Sequence, residues 1–524
     1  MSSTPLTDAT MNNAGKDCSN LSADKPNIRI LLYTDDPEKV TTGVDQRLGL
    51  GLMINLLHAH EPAFARVCFD LVSRNSSRTL HADQKLTDVL SKREYDQIWF
   101  FGLHQVNKEP FTLDEPSGGP HSELCEDEIA YLAQWMERPE GGGRGGGVLM
   151  TGDHANPRPK NSLPSTHHSC CAEPSGDARL MSLGRALGRC VPRAGMLRKW
   201  EGSPTRDVSS SYNTQVLASG TNVEAIHLES DRVPQQLILK YFNELGEPAQ
   251  KGKPHPLFLY KPEEYIQVFP DHRHEGAVII PRKFDEQVWP QADRVRPSVV
   301  ARGLDKRNGR KLNILAAYDG DRAGVGRIVA DSSWHHYFTV NLANFLNITT
   351  PGSVTDQLGQ FYANLAVWLS PLRRRREMAS MMIQWLVNHP LMFEEVISGT
   401  PDFQSVLGTG KTAYQLLSEK AAPCEIHELL WAVTPETYRQ QFETLYFPEH
   451  GAALSPLPSK QLILGSILNA YHRQTTEALA SEDSDSVDER GEGGFVSAGV
   501  QQAFRLHFKM LEQNWTLANN LPVA

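Results

Sequence analysis

The chain has 524 residues, a formal net charge of −10 and a pI of about 6.0. This length exceeds what one compact core usually accommodates, so we expect two domains. The acidic balance argues against a nucleic-acid-binding protein. No apolar run reaches the roughly 20 residues that a membrane helix needs, so we also expect no membrane partner.

The N-terminal residues 1–26 are polar and carry no apolar signal region, which predicts a disordered lead segment. The chain contains seven cysteines, and none of them has C-x-x-C spacing. This usage is typical of reduced thiols rather than a disulfide framework, so we expect a cytoplasmic protein.

Apolar runs with strand character alternate with helical patterns through the first two-thirds of the chain. The runs of the first part cover 27–33, 65–72, 95–102 and 147–151, and the helical patterns cover 45–59 and 123–136. After an irregular stretch at 155–250, apolar runs return at 256–260, 277–281, 312–318 and 326–332. This order predicts a doubly wound, mostly parallel, flavodoxin-like α/β domain over 27–350, with Gly147–Thr151 as a central strand.

Helical periodicity replaces the strand pattern after Pro351. We expect an all-helical domain over 351–524, with a disordered acidic linker at about 480–494. Such a domain is a candidate for homo-oligomer contacts.

Gly408-Thr-Gly-Lys-Thr412 resembles a P-loop, but Ser405 replaces the first glycine and no strand precedes it. The motif therefore does not predict a phosphate site.

Two strands of the predicted sheet end in polar clusters that contain histidine. Asp153 and His154 follow the strand at 147–151, and Trp334, His335 and His336 follow the strand at 326–332. Ligands of open parallel sheets bind beyond the carboxyl ends of the strands. Adjacent histidines point to opposite sides of an extended chain, so we expect one of His335 and His336 to face a common site. The alternative for Asp153 is a helix cap.

A third cluster consists of Asp271, His272, Arg273, His274 and Glu275. His-x-His on an extended segment places both imidazoles on one face. Two imidazoles with a nearby carboxylate suit a divalent metal such as Zn, Mn or Fe. The alternative is a polar loop that contacts only water. We expect all three clusters to converge on one site.

Basic and aromatic residues at 193–200 offer a contact for an anionic substrate group. Arg198 is the candidate there, and Trp334 is a second candidate for substrate binding. The alternative for the segment is a solvated basic loop.

The order of these motifs resembles the class I glutamine amidotransferase-like superfamily, including its ThuA-like branch. The resemblance covers about 27–345 and is carried by Ile98-Trp-Phe-Phe-Gly102, Gly146-Gly-Val-Leu-Met-Thr-Gly-Asp-His154 and Gly326-Arg-Ile-Val-Ala-Asp-Ser-Ser-Trp-His-His336. It implies a cysteine in the turn after the central strand, where this chain has Asp153 and His154. It also implies a later histidine, for which His335 or His336 qualifies. Without the thiol, we expect no glutaminase activity.

Three functions remain open on these residues. The first is a metal-dependent hydrolase of a small-molecule substrate, with histidine ligands and with Asp153 or Glu275 as a ligand or general base. The second is a metal-free acid–base enzyme or lyase that uses Asp153 and a histidine. The third is a catalytically silent ligand-binding or scaffold protein whose helical domain mediates assembly.

Overall fold

The computed structural model describes residues 24–34, 41–44, 49–73, 85–101, 126–151, 197–200, 234–242, 252–270, 276–279, 295–304, 311–332, 336–346, 352–395, 402–435, 459–480 and 493–519. The chain divides into two compact units. The first comprises Met1–Tyr241 and Pro254–Leu372, and the second comprises Phe242–Lys253 and Arg373–Ala524. The first helix after Pro351 therefore belongs to the unit that contains the sheet.

The strands are β1 (Asn27–Thr34), β2 (Arg66–Ser73), β3 (Gln97–Phe101), β4 (Gly147–Met150), β5 (Leu197–Trp200), β6 (Gln235–Gln236), β7 (Ile238–Leu239), β8 (Tyr241–Phe242), β9 (Lys253–Pro254), β10 (Leu259–Lys261), β11 (Glu264–Tyr265), β12 (Val268–Phe269), β13 (Gly276–Ile279), β14 (Ser298–Leu304), β15 (Lys311–Tyr318) and β16 (Ile328–Asp331). The α-helices are α1 (Gly51–Ala59), α2 (Leu86–Lys92), α3 (Glu126–Met136), α4 (Thr339–Leu342), α5 (Val354–Leu369), α6 (Leu372–Val387), α7 (Pro390–Glu395), α8 (Phe403–Lys420), α9 (Pro423–Val433), α10 (Lys460–Ala480) and α11 (Gly493–Asn519).

Eight strands form one sheet in the order β2-β1-β3-β4-β16-β15-β14-β7. Neighbouring strands are parallel from β2 to β16 and antiparallel from β16 to β7. The predicted α/β fold with a mostly parallel sheet is therefore confirmed. β4 lies in the interior of the sheet between β3 and β16, as we predicted for 147–151.

The two faces of β3 contact different helices, which explains why this strand is buried along its whole length. On one face, Gln97 Nε2 donates to Ser370 Oγ at 3.1 Å, directly after α5. On the other face, Ile98 belongs to a cluster of buried residues that includes Leu132 of α3. We call these the α5 face and the α3 face. Helices therefore cover the sheet on both sides.

A polar cluster on Asp356 joins the end of α1, the strand β10 and the first turn of α5. His60 Nε2 lies 2.9 Å from Asp356 Oδ1. The Gly352 amide donates to Oδ2 at 2.8 Å, and the Tyr260 hydroxyl donates to the same oxygen. Burial raises the pKa of Asp356, but these hydrogen bonds outweigh it and hold the pKa well below its usual range.

Beyond Leu372, all the regular secondary structure that the structure describes is helical. Glycines let α8 and α10 pack backbone against backbone. A Cβ atom at Gly410 would lie 1.7 Å from the carbonyl oxygen of Gln461, and a Cβ atom at Gly465 would lie 1.9 Å from that of Val406. Gly410 belongs to the P-loop-like motif, which lies inside α8 and serves helix packing. None of the helices in the described ranges is long and apolar enough to cross a membrane.

The cysteines depart from the sequence prediction at one position. Cys68 on β2 is disulfide-bonded, so the prediction of reduced thiols is wrong there. Its partner is not among the described residues. Cys424 on α9 is a free, buried thiol.

Candidate functional site

β4 and β16 lie side by side and run parallel, with Val148 opposite Ile328 and Met150 opposite Ala330. The chain therefore leaves both strands at the same edge of the sheet, as we expected for the first and third clusters. This is the carboxyl edge, where ligands of open parallel sheets bind. Four predicted site residues follow these strands and lie outside the described residues: Asp153, His154, Trp334 and His335.

His336 is described, and it is paired with Asp331, the last residue of β16. Its Nδ1 atom lies 2.8 Å from Oδ1 and 3.0 Å from Oδ2 of the carboxylate. Both side chains are 0% exposed. The Tyr337 hydroxyl donates to Asp331 Oδ2 at 2.9 Å. The buried carboxylate thus accepts hydrogen bonds from an imidazole and from a phenol.

These contacts determine how the His336 ring is protonated. A carboxylate offers only lone pairs, so Nδ1 carries the proton of this hydrogen bond. In the neutral ring, Nε2 is then the basic nitrogen. The Tyr362 hydroxyl on α5 donates to the backbone carbonyl of His336. Burial and the nearby Asp331 charge raise the pKa of both Tyr337 and Tyr362 well above the ordinary value, so both phenols stay protonated.

Aromatic rings occupy the α5 face at the carboxyl end of β3. Phe101, the last residue of this strand, packs edge-on against Tyr337 at 5.4 Å and against Phe338 at 5.8 Å between ring centroids. The next residue, Thr339, donates its backbone N–H to the Gly49 carbonyl at 2.8 Å. This part of the carboxyl edge is therefore filled by packed aromatic side chains.

The strand that precedes the middle cluster contacts the third cluster. Phe269, the last residue of β12, packs its ring against that of His336, with 4.8 Å between centroids. Pro270 follows, and the chain then enters the Asp-His-Arg-His-Glu segment. The three predicted site residues of that segment lie outside the described residues: His272, His274 and Glu275.

Arg198 lies on β5, which pairs with β13 in a separate antiparallel sheet and places Arg198 opposite Val278. Val278 is buried in the cluster on the α3 face. Asn313 Nδ2 of β15 donates to the Val278 carbonyl at 3.1 Å. The strand pair that carries Arg198 therefore lies against the main sheet.

Sequence reasoning missed three residues of this site: Asp331, Tyr337 and Phe269. Asp331 could have been recognised from the sequence. It is the one charged residue of a fully buried strand, and it precedes a histidine by five positions. Tyr337 and Phe269 resemble ordinary core residues in the sequence. Within the described ranges, no three His, Cys, Asp or Glu side chains come close enough to hold a metal.

Comparisons with known proteins identified no relative of this chain. No family model, no curated protein and no solved structure matches this chain. The residues of the chain define its class as an α/β protein with a mostly parallel eight-stranded sheet and a helical C-terminal region.

Proposed function

We propose that this protein is a metal-dependent hydrolase of a small molecule, with its active site at the carboxyl ends of β4 and β16. The observation that carries the proposal is the Asp331–His336 pair. Metal-ligating histidines almost always donate their second ring N–H to a carboxylate or a similar acceptor. Here the Nδ1–Asp331 distance is 2.8 Å, which leaves the basic Nε2 as the ligand atom.

The donor chemistry of the surrounding sequence fits a Zn, Mn or Fe ion. The proposed ligands are His336 and members of the set His154, His272, His274 and His335, with Asp153 or Glu275 as a further ligand or as general base. When bound, such a metal acts as a Lewis acid and lowers the pKa of a water molecule towards about 7. The contact between Phe269 and His336 supports including the middle cluster, because His272 follows Phe269 by only three residues.

The surrounding side chains have positioning roles in this proposal. Asp331 holds the His336 ring in one tautomer, and Tyr337 holds the carboxylate through Oδ2. Tyr362 fixes the His336 backbone from α5. Asp331 would thus make Nε2 a stronger electron-pair donor to the metal while the ring remains in place.

The strand order supports an amidotransferase-like scaffold. The five parallel strands follow the order β2-β1-β3-β4-β16, which corresponds to the 2-1-3-4-5 order of flavodoxin-like sheets. The class I amidotransferase-like superfamily and its ThuA-like branch remain our proposal for the ancestry of this domain. Since the sequence directly after β4 carries Asp153 and His154 and no cysteine, we propose that the enzyme does not hydrolyse glutamine.

Elemental analysis of protein purified without a His-tag tests whether the protein binds a metal. We expect a stoichiometric divalent metal in the wild type and its loss in His336→Gln. His60→Gln is the matched control, because His60 also contacts a carboxylate, that of Asp356, but lies away from the carboxyl edge. Thermal unfolding of each variant separates the loss of a ligand from the loss of the fold. The proposal would be contradicted if the wild-type protein contained no metal. It would also be contradicted if the His336→Gln variant folded and kept the metal content of the wild type. The first outcome would favour an Asp331-oriented general base instead.

A further inference from the structure

Arg302 on β14 carries a guanidinium group that is held in place by a side-chain hydrogen bond. Its Nε atom donates to Asn313 Oδ1 at 3.1 Å, and Asn313 Nδ2 donates in turn to the Val278 carbonyl at 3.1 Å. Both ends of the Asn313 amide group are therefore used. The two Nη atoms of Arg302 carry the remaining N–H donors of the guanidinium group, and no residue in the described ranges accepts a hydrogen bond from them.

Lys240 lies beside Arg302 on the neighbouring strand. β7 pairs antiparallel with β14, and Ile238 is opposite Arg302. The Lys240 N–H donates to the Val300 carbonyl at 3.0 Å, so the ladder continues to this residue. Alternate residues of an extended chain share a face, and Lys240 therefore lies on the same face as Ile238 and Arg302. Diagonal neighbours of this kind are about 7–8 Å apart, within reach of long side chains.

Neither positive charge is paired within the part of the chain that the structure describes. The side chains of Lys240 and Arg302 are both half-buried, and neither forms an ion pair with a described carboxylate. Burial and the nearby Arg302 charge lower the pKa of Lys240. Like charges at neighbouring positions of a sheet destabilise it. A bound anion would offset this repulsion.

Arg302 lies at the carboxyl edge of the sheet, where ligands of open parallel sheets bind. Asp331 is opposite Leu315, and Leu315 is opposite Ala301, so these three residues form one row across the sheet. Arg302 is the next residue towards the carboxyl edge. Neighbouring strands are about 4.8 Å apart, which places the Arg302 backbone roughly 10 Å from that of Asp331. Ile238 on the same face is 37% exposed, so solvent reaches this part of the sheet.

We propose that Lys240 and Arg302 bind an oxyanion group, a carboxylate or a phosphate, of a small molecule. Arg302 offers the planar fork of N–H donors that matches such a group, and Lys240 supplies a second positive charge. The inference goes beyond the proposed function, because neither residue belongs to the proposed metal site. The anion site is expected with or without a bound metal.

NMR titration with inorganic phosphate and with acetate, at constant ionic strength, tests the inference. We expect at least one of the two anions to bind the wild type. Its dissociation constant should rise about 10-fold or more in Arg302→Gln and in Lys240→Gln, as for one lost hydrogen bond to a charged group. The anion that binds more tightly shows whether the site prefers a phosphate or a carboxylate.

Lys92→Gln is the matched control for the loss of one positive charge. Lys92 is the exposed last residue of α2, which connects β2 to β3, whereas β7 and β14 lie at the other end of the strand order. This variant should bind the anion like the wild type. Denaturant unfolding gives a second readout, because a bound anion should raise the midpoint of the wild type and of Lys92→Gln more than that of Lys240→Gln.

The inference would be overturned if neither anion bound the wild type. It would also be overturned if Arg302→Gln or Lys240→Gln folded and kept the dissociation constant of the wild type, or if Lys92→Gln weakened binding as much as they do. If Arg302→Gln does not fold, Lys240→Gln decides between these outcomes.

Discussion

A Cβ atom at Gly359 would lie 2.2 Å from Nδ1 of His60. The helix α5 can therefore pass the imidazole only because this position has no side chain. Nδ1 donates to the Leu56 carbonyl at 3.0 Å and Nε2 contacts Asp356 at 2.9 Å, so the ring cannot move without losing both contacts. The lack of a side chain at Gly359 thus maintains the junction between α1 and α5.

We expect Gly359→Ala to lower the free energy of unfolding of the first unit by about 1–3 kcal/mol, as for an overpacked core. This loss should appear although alanine favours a helix by about 1 kcal/mol over glycine. Denaturant unfolding, followed by hydrogen exchange of peptides from α1 and α5, measures the effect. In a His60→Ala background the same substitution should cost less, because the clash with the ring is gone. Equal costs in both backgrounds would contradict this account.

Acid should weaken the same junction through Asp356. Hydrogen bonds hold the folded-state pKa of Asp356 well below its ordinary value, despite burial. A carboxyl group with a depressed folded-state pKa stabilises the protein above its unfolded pKa, about 3.9 for Asp, and loses this contribution as the pH falls. We expect Asp356→Asn to be less stable than the wild type at pH 7, with a shallower decline of stability below about pH 5. Denaturation midpoints from neutral to acidic pH check this, and parallel declines would refute it.

Most of the fold was predictable because its strands are buried apolar runs. β1, β3 and β4 lie within the runs at 27–33, 95–102 and 147–151, give or take one residue. β14 was missed because its short apolar core, Val299-Val300-Ala301, is followed by Arg302 and Gly303. In the helical region, the periodicity predicts single helices over 376–398 and 410–447, and each of these runs across an interruption. New helices begin at Pro390 and Pro423, where proline sits at the first helical position, which it favours.

The candidate site was less predictable because it depends on how the chain returns to the strand end. The alternation of side chains along an extended chain does not show which of His335 and His336 faces the site. The sequence also did not reveal that the Asp331 carboxylate is hydrogen-bonded to His336, five residues later. An aspartate at the end of a strand resembles a turn or cap residue. The contact of Phe269 with His336 joins residues 67 positions apart, which no local pattern indicates.

The helical unit offers a paired test of glycine packing. Gly410→Ala should lower the free energy of unfolding of this unit by more than about 1–3 kcal/mol, because the added methyl group meets the rigid backbone of Gln461 rather than a side chain. Gly408→Ala, two residues away in the same helix, meets nothing within 4 Å and should stabilise the unit by up to about 1 kcal/mol. Hydrogen exchange of α8 and α10 peptides distinguishes the two. Similar effects at both positions would show that α8 and α10 do not pack as described.

The last prediction separates the two tyrosines at the candidate site. Tyr337→Phe removes a donor from the buried Asp331 carboxylate, and Tyr362→Phe removes a donor from the His336 backbone carbonyl. Each should lower the free energy of unfolding by about 1–3 kcal/mol, because each leaves a buried acceptor with one bond fewer.

Nitrogen-15 NMR of the imidazole, recorded on protein from which any metal has been removed with a chelator, tells the two roles apart. Tyr362→Phe leaves the Asp331–His336 hydrogen bond intact, so His336 should keep the proton on Nδ1 and an unchanged titration midpoint. In Tyr337→Phe the carboxylate has lost a competing donor and interacts more strongly with the ring, so His336 should keep the same tautomer and titrate at higher pH. Asp331→Leu is the control that removes the acceptor, and its neutral ring should no longer favour the Nδ1–H tautomer. If Asp331→Leu retained that tautomer, or if Tyr337→Phe and Tyr362→Phe titrated alike, Asp331 would not be the residue that sets the protonation of His336.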